Sequence, residues 1–182
     1  MSLTTIKRRA TFQLSNERKK EQTPLIFKRK RIQMSLFLSS YENRLDTKGR
    51  ISVPASFRAS VANEEFAGVV LFRSFTNNCI EGFSMSRMEQ MAAATDKAGV
   101  FDNTMDDLSA MLFADARPLA FDVTGRIIIP NDLLEHANIK ETAVFVGRGN
   151  SFQIWNPDAF RAAQKKSLEN LRAVRPNLVI GQ

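Results

Sequence analysis

Residues 46–54 read Asp46-Thr47-Lys48-Gly49-Arg50-Ile51-Ser52-Val53-Pro54, and residues 122–130 read Asp122-Val123-Thr124-Gly125-Arg126-Ile127-Ile128-Ile129-Pro130. Asp, Gly, Arg, Ile and Pro recur in the same order and spacing, 76 residues apart. Each copy reads as a tight turn leading into a short strand. Asp accepts hydrogen bonds from amides just downstream, and Gly takes a positive φ without steric cost. The apolar-polar alternation of Ile51-Ser52-Val53 suits a half-buried strand. Pro54 and Pro130 then suit the first position of a helix, where a missing N–H costs nothing. Asp46, Asp122 and Gly125 are expected to build the turns, and Arg50 and Arg126 to leave them at equivalent places.

Working outward, residues 37–45 read as a strand approaching the first turn. Ala55 to about Ala62 continues as a helix with Phe57 and Val61 inward. Gly68 to Phe72 and Ile80 to Phe83 read as buried strands joined through Asn77-Asn78. A helix follows from Ser84 or Ser86, and Ser86 with Glu89 has the capping-box spacing. Another helix runs from about Asn103 to Ala114, with Met105, Leu108, Met111 and Leu112 at helical spacing. Its methionines, with Met88 and Met91, read as core filler rather than a recognition surface. The second copy repeats the plan: Leu119 and Phe121, the Asp122 turn, a strand, and a short helix through Leu133, Leu134 and Ala137. Strands at 143–146 and 152–155 come next. Asn156-Pro157 is an N-cap followed by Pro, opening a last helix outlined by Phe160, Ala163, Ser167, Leu168 and Leu171 and ending before Pro176. Phe83 and Trp155 align only 72 apart, so the second copy lacks about four residues, placed between helix and strands.

A lone unit of this plan buries too little surface for comfortable stability. Two units with interleaved hairpins, related by a pseudo-twofold axis, solve that problem. The expected fold is therefore α+β: two tandem swapped-hairpin units forming a pseudo-twofold, β-rich core with short helices. The expected divisions are an extension over 1–33, a first unit over 34–90, a helical connector over 91–116, a second unit with a C-terminal helix over 117–175, and a tail over 176–182.

The net charge of +7 is unevenly spread. Residues 1–33 hold ten basic and two acidic residues, leaving sixteen basic and seventeen acidic in the body. Disorder is the expectation for that segment. It reads either as a DNA-binding arm or as an upstream extension, with Met34 as the functional start. Nucleic-acid binding by the body must rest on local charge. Arg44, Lys48 and Arg50 lie within seven residues, and an arginine fork suits phosphate oxygens or a guanine edge. In the second copy Thr124 replaces Lys48, and Asp132 lies downstream. The first turn is thus the better DNA reader, and Arg126 is open to pairing with a carboxylate to hold the fold. A structural reading, in which the Asp–Gly–Arg turn simply makes a good hairpin twice, leaves the arginines incidental.

Cys79 is the single cysteine and His136 the single histidine. They allow no internal disulfide and no standard zinc spacing, and no cofactor is expected. Cys79 reads as a small buried group and His136 as a helix-surface or helix-end residue. There is no Ser-His-Asp arrangement, no phosphate-cradling glycine loop and no CxxC, so an enzyme is a poor reading. No apolar run is long enough for a membrane helix or secretory signal, which points to the cytoplasm.

The run Tyr41-Glu42-Asn43-Arg44-Leu45-Asp46-Thr47-Lys48-Gly49-Arg50, followed by Val53-Pro54-Ala55-Ser56-Phe57-Arg58, resembles the MraZ family of bacterial transcriptional regulators, with its SpoVT–AbrB type of swapped-hairpin fold. The second motif, leading to Ala143-Val144-Phe145-Val146-Gly147 and Phe152-Gln153-Ile154-Trp155, extends the resemblance over about residues 34–175. It implies a sequence-specific DNA-binding regulator of the division and cell-wall gene cluster, including its own promoter. It further implies a homo-oligomer, an octamer or larger ring, that binds double-stranded DNA with short direct repeats at the nucleoid. Carried over by position, Lys48, Gly49 and Arg50 match the family's DNA-contacting turn, and Arg126 its second counterpart; Arg44 lies beside them. The competing expectation is a ring-forming protein-interaction scaffold whose DNA binding is non-specific and comes from the basic N-terminal tail.

Overall fold

The structure is a computed structural model that describes residues 36–98 and 103–174. The expectations for residues 1–33 and for 176–182 lie outside the described residues, as do the side chains of Met105 and Leu108.

The first repeat supplies β1 (Ser40–Arg44), β2 (Arg50–Ser52), α1 (Ala55–Ser60), β3 (Gly68–Arg73), β4 (Ile80–Phe83) and α2 (Met85–Ala98). After α3 (Asn103–Asp115), the second repeat supplies β5 (Arg117–Ala120), β6 (Arg126–Ile128), α4 (Asn131–His136), β7 (Thr142–Gly147), β8 (Phe152–Trp155) and α5 (Pro157–Val174).

Six strands form one antiparallel sheet in the order β1-β7-β8-β4-β3-β5, and β2 and β6 form a separate two-stranded ribbon. The order is a palindrome when equivalent strands are exchanged. The lead strand of each repeat pairs with the hairpin of the other: β1 with β7, and β5 with β3. The expected interleaving and the α+β class are both present. The pseudo-twofold axis passes between β4 and β8, where Glu81 faces Gln153, and through the ribbon, where Ile51 faces Ile127.

β3 is buried along almost its whole length, because its two faces serve two cores. Val69 and Leu71 join the central cluster with Ile51, Phe57, Ile127, Leu133, Phe145, Phe152 and Ile154. Val70 and Phe72 face the other way and pack with Met88 and Leu112 from α2 and α3. Ribbon, α1 and α4 thus contribute to the central core, while α2 and α3 back the first repeat's half of the sheet. Phe57, Phe145 and Phe152 are fully buried, and Phe57 meets both other rings at 5.3–6.2 Å between centroids.

Several boundaries differ from expectation. Pro54 and Pro130 are the N-caps of α1 and α4, with ψ of 138° and 143°, rather than their first residues. The extended ψ turns the chain out of the ribbon before the helix starts. Ser84 caps α2: its hydroxyl accepts the Arg87 amide at 3.2 Å. Ser86 instead donates to Glu64 at 2.7 Å, so the Ser86–Glu89 capping box does not form. Asn156 does cap α5, accepting the amides of Asp158 and Ala159. Met111 is 60% exposed, whereas Met88 and Leu112 are buried; Met111 lines an open cleft with Arg73, Phe75 and Arg117 instead of packing in the core. The shortfall of the second copy is split. The β3–β4 hairpin loop spans residues 74–79 and the β7–β8 loop only 148–151. The remaining difference falls between the short helix and the strand after it.

Candidate nucleic-acid interface

The two turns have the same construction. In the first, Asp46 Oδ1 accepts the amides of Lys48 and Arg50, each at 2.9 Å, and the Asp46 carbonyl accepts the Gly49 amide at 3.0 Å. Gly49 adopts φ +74°, which an L side chain would strain. Arg50 Nε then donates back to Asp46 Oδ2 at 2.6 Å. In the second, Asp122 Oδ1 accepts the amides of Thr124 and Arg126 at 2.8 and 2.9 Å, Gly125 has φ +76°, and Arg126 Nε reaches Asp122 Oδ2 at 2.8 Å. Thr124 adds a hydroxyl hydrogen bond to Asp122 Oδ1 at 2.7 Å. Asp46 and Asp122 thus close the two turns, and Gly125, like Gly49, takes a positive φ within its turn.

These donors hold both carboxyls below the usual range. The Arg50 amide is the main cause at Asp46, and the Arg126 amide, followed by the Thr124 hydroxyl, at Asp122. Asp132 has no part in either turn. It pairs with Arg73 at 2.7 Å and more distantly with Arg117 at 3.8 Å. Arg126 does pair with a carboxylate, but Arg50 does the same, so this pairing does not set the two turns apart.

The ribbon brings the two turns together. Ile51 and Ile127 point inward and are fully buried, so Arg50, Ser52, Arg126 and Ile128 share the outward face. Arg50 lies opposite Ile128 and Arg126 opposite Ser52. The arginines are diagonal neighbours, with Cα atoms roughly 7–8 Å apart by ordinary sheet geometry. The Ile129 amide donates to the Gly49 carbonyl and the Val53 amide to the Gly125 carbonyl, so each turn is clamped to the far end of the other repeat's strand. Lys48 sits at the exposed tip of the first turn, and Arg44 ends β1 just before it, also exposed. Asn43 Nδ2 fastens β1 to the ribbon through the Ser52 carbonyl at 2.7 Å.

Two residues of this surface escaped the sequence reading. Ile128 is 59% exposed although it lies in a run of three isoleucines; strict period-two alternation was the signal that could have separated it from Ile127 and Ile129. Arg58, on α1 of the first repeat, lies against the turn of the second. A Cβ on Gly125 would fall 2.5 Å from Arg58 Nη1, and Arg58 Nε donates to the Val53 carbonyl at 3.2 Å. No local pattern marks a contact between residues so far apart in the chain.

Among the described residues, no group of three His, Cys, Asp or Glu side chains is placed to hold a metal ion. Cys79 is fully buried, and burial pushes its thiol up to about 12, which leaves it a packing group. No described helix is long and apolar enough to cross a membrane.

The chain matches the family described as "MraZ protein, putative antitoxin-like" over residues 36–109 and again over 112–178, one match per repeat. It is 41% identical over 144 residues to the protein named transcriptional regulator MraZ of Pelagibacter ubique, covering 77% of this chain and 93% of that one. It is similarly 41% identical to the protein of the same name from Rickettsia peacockii, over 78% of this chain and 98% of that one. The corresponding Gluconobacter oxydans protein is 42% identical, over 77% and 86% respectively.

Proposed function

The chain belongs to the MraZ family, and on that premise we propose that it is a sequence-specific DNA-binding transcriptional regulator rather than an enzyme. The observation that carries this reading is the placement of Arg50 and Arg126 on one outward ribbon face, with a turn at each end. A two-stranded ribbon fits the major groove, where arginine forks pair with guanine edges or phosphates. Arg50, Arg126, Lys48 and Gly49 form the contact surface, with Arg44 beside it.

One such surface makes few phosphate contacts. A ring of eight or more copies facing short direct repeats multiplies the effective affinity without new contacts. The targets are the protein's own promoter and the division and cell-wall gene cluster, which places it in the cytoplasm at the nucleoid. Relatives named as transcriptional regulators support the regulatory role.

The test is a gel shift of full-length protein on a promoter fragment carrying repeats, against an excess of unrelated DNA. Arg50→Ala is expected to abolish the specific shift while leaving oligomer size unchanged. Undiminished specific binding by that variant would sink the proposal. A shift that unrelated DNA competes away equally would favour non-specific attachment through residues 1–33.

A further inference from the structure

The turns look alike, yet they differ in charge. Arg50 is offset by Asp46 and Arg126 by Asp122, each through an ion pair within its own turn. An arginine bound to its own aspartate leaves the turn without surplus positive charge for a phosphate. At the first turn Lys48 supplies it, and among the described residues Lys48 has no ion-pair partner. The equivalent position in the second turn is Thr124, whose hydroxyl is spent on Asp122.

The second turn obtains its cation from elsewhere. Arg58 is half-buried, and its guanidinium lies over Gly125 so closely that no side chain fits beneath it. It shares a cleft of about 250 Å³ with Asp122, Val123 and Gly125, and with Glu64, whose carboxylate is taken up by the Ser86 amide and hydroxyl. Among the described residues no carboxylate forms an ion pair with Arg58, whereas Arg50 and Arg126, the arginines of the two turns, are each paired. At the symmetry-related place beside the first turn stands Leu134, 76 residues on and 7% exposed. That cleft also contains Asp46, Thr47 and Gly49. Each turn thus has one aspartate-bound arginine and one unpaired cation. The first draws its cation from within the turn, and the second draws it from the other repeat's helix.

We propose that Arg58 is a DNA-contacting residue of the second turn: beside Gly125 it offers a backbone phosphate the cation that Lys48 supplies at the first. This rests on the DNA-binding reading and makes both ends of the ribbon binding ends. It also gives Gly125 a second role, since any side chain there would displace the guanidinium.

The test is the salt dependence of binding to the repeat-bearing fragment, measured by fluorescence anisotropy with full-length protein. Removing one phosphate contact lowers the slope of log K against log salt by about 0.9 per contacting protomer. Arg58→Leu, which copies the natural Leu134, is expected to lower the slope. Adding Thr124→Lys to it, which copies the first turn, is expected to restore the slope. A folded Arg58→Leu protein with the wild-type slope would overturn the proposal. Wild-type protein gives a check that needs no variant: bound DNA should shield Arg58 from a guanidine-selective reagent, read by peptide mass spectrometry. Arg58 modified at the same rate with and without DNA, while Arg50 is shielded, would also overturn it. Wild-type protein that binds no DNA would remove the regulatory reading itself, and this inference with it.

Discussion

Ile51 and Ile127 occupy the same place in the two repeats and pair directly with each other, so the pseudo-twofold axis runs through a contact between a residue and its own duplicate. Both are fully buried. The ribbon is therefore one of the places where the two repeats meet, as well as the base on which Arg50 and Arg126 stand.

Cutting either side chain back should test that meeting. Ile51→Ala and Ile127→Ala are each expected to cost about 2–5 kcal/mol of unfolding free energy, the range for buried aliphatic truncations. Because the residues touch, the double variant should depart from the sum of the singles by about 0.5 kcal/mol or more. Urea denaturation of the three variants measures both quantities; strict additivity would contradict a direct contact.

The two turn glycines should respond differently. Gly49→Ala and Gly125→Ala both force a side chain to positive φ, at about 1–2 kcal/mol each. At Gly49 the new Cβ meets a backbone oxygen at 3.2 Å, and at Gly125 it meets the Arg58 guanidinium at 2.5 Å. Thermal melts should show comparable losses of stability, because Arg58 can swing away. The Arg58–Val53 hydrogen bond should survive only in the Gly49 variant, which a crystal structure of each would reveal.

Acid should loosen the turns. Asp46 and Asp122 have carboxyls lowered in the folded protein by amide and arginine donors. A group lowered on folding stabilises fully above its unfolded pKa of about 3.9. That stability is lost as pH falls through the folded value. Melting temperature should therefore fall below about pH 4 more steeply for wild type than for an Asp46→Asn/Asp122→Asn double variant. Parallel curves for the two proteins would assign the acid sensitivity to other groups.

The axis also passes between unlike residues. Gln153 Nε2 donates to Glu81 Oε1 at 2.6 Å, while Gln153 Oε1 accepts from Trp155 Nε1 and Arg148. Identical acids in both repeats would set two carboxylates face to face. Gln153→Glu is expected to cost about 1–3 kcal/mol at neutral pH, because it replaces the donor facing Glu81 with a second acceptor and puts like charges in contact. The repulsion raises the folded carboxyl pKa, so the penalty should shrink as pH falls below that raised value. Stability curves of variant and wild type between pH 4 and 8 would show the gap closing, and a pH-independent gap would refute the charge argument.

Some of the fold was legible because its hydrogen bonds are local. The Asp46 and Asp122 turns close within four residues, so residue type and spacing were enough to read them. Asn156 was legible as a cap for the same reason. Ser86 was misread because its acceptor is Glu64, a competitor 22 residues away that no capping pattern includes. Met111 was misread because helical spacing identifies a stripe and not the part of it that the sheet covers.

The sequence by itself determined that the protein is a duplicated unit, that each copy holds an Asp–Gly–Arg turn, and that an arginine leaves each turn at the same point. Those properties depend on backbone conformation and on bonds a few residues long. Only the tertiary structure decided which strands carry the exchange, β1 with β7 and β5 with β3, that Arg50 and Arg126 come to share one face, and that Arg58 reaches Gly125 rather than a turn of its own repeat. Strand pairing and side-chain contact between distant segments are settled by which arrangement buries both repeats' apolar faces at once. An internal symmetry of sequence leaves that choice open until the two copies pack.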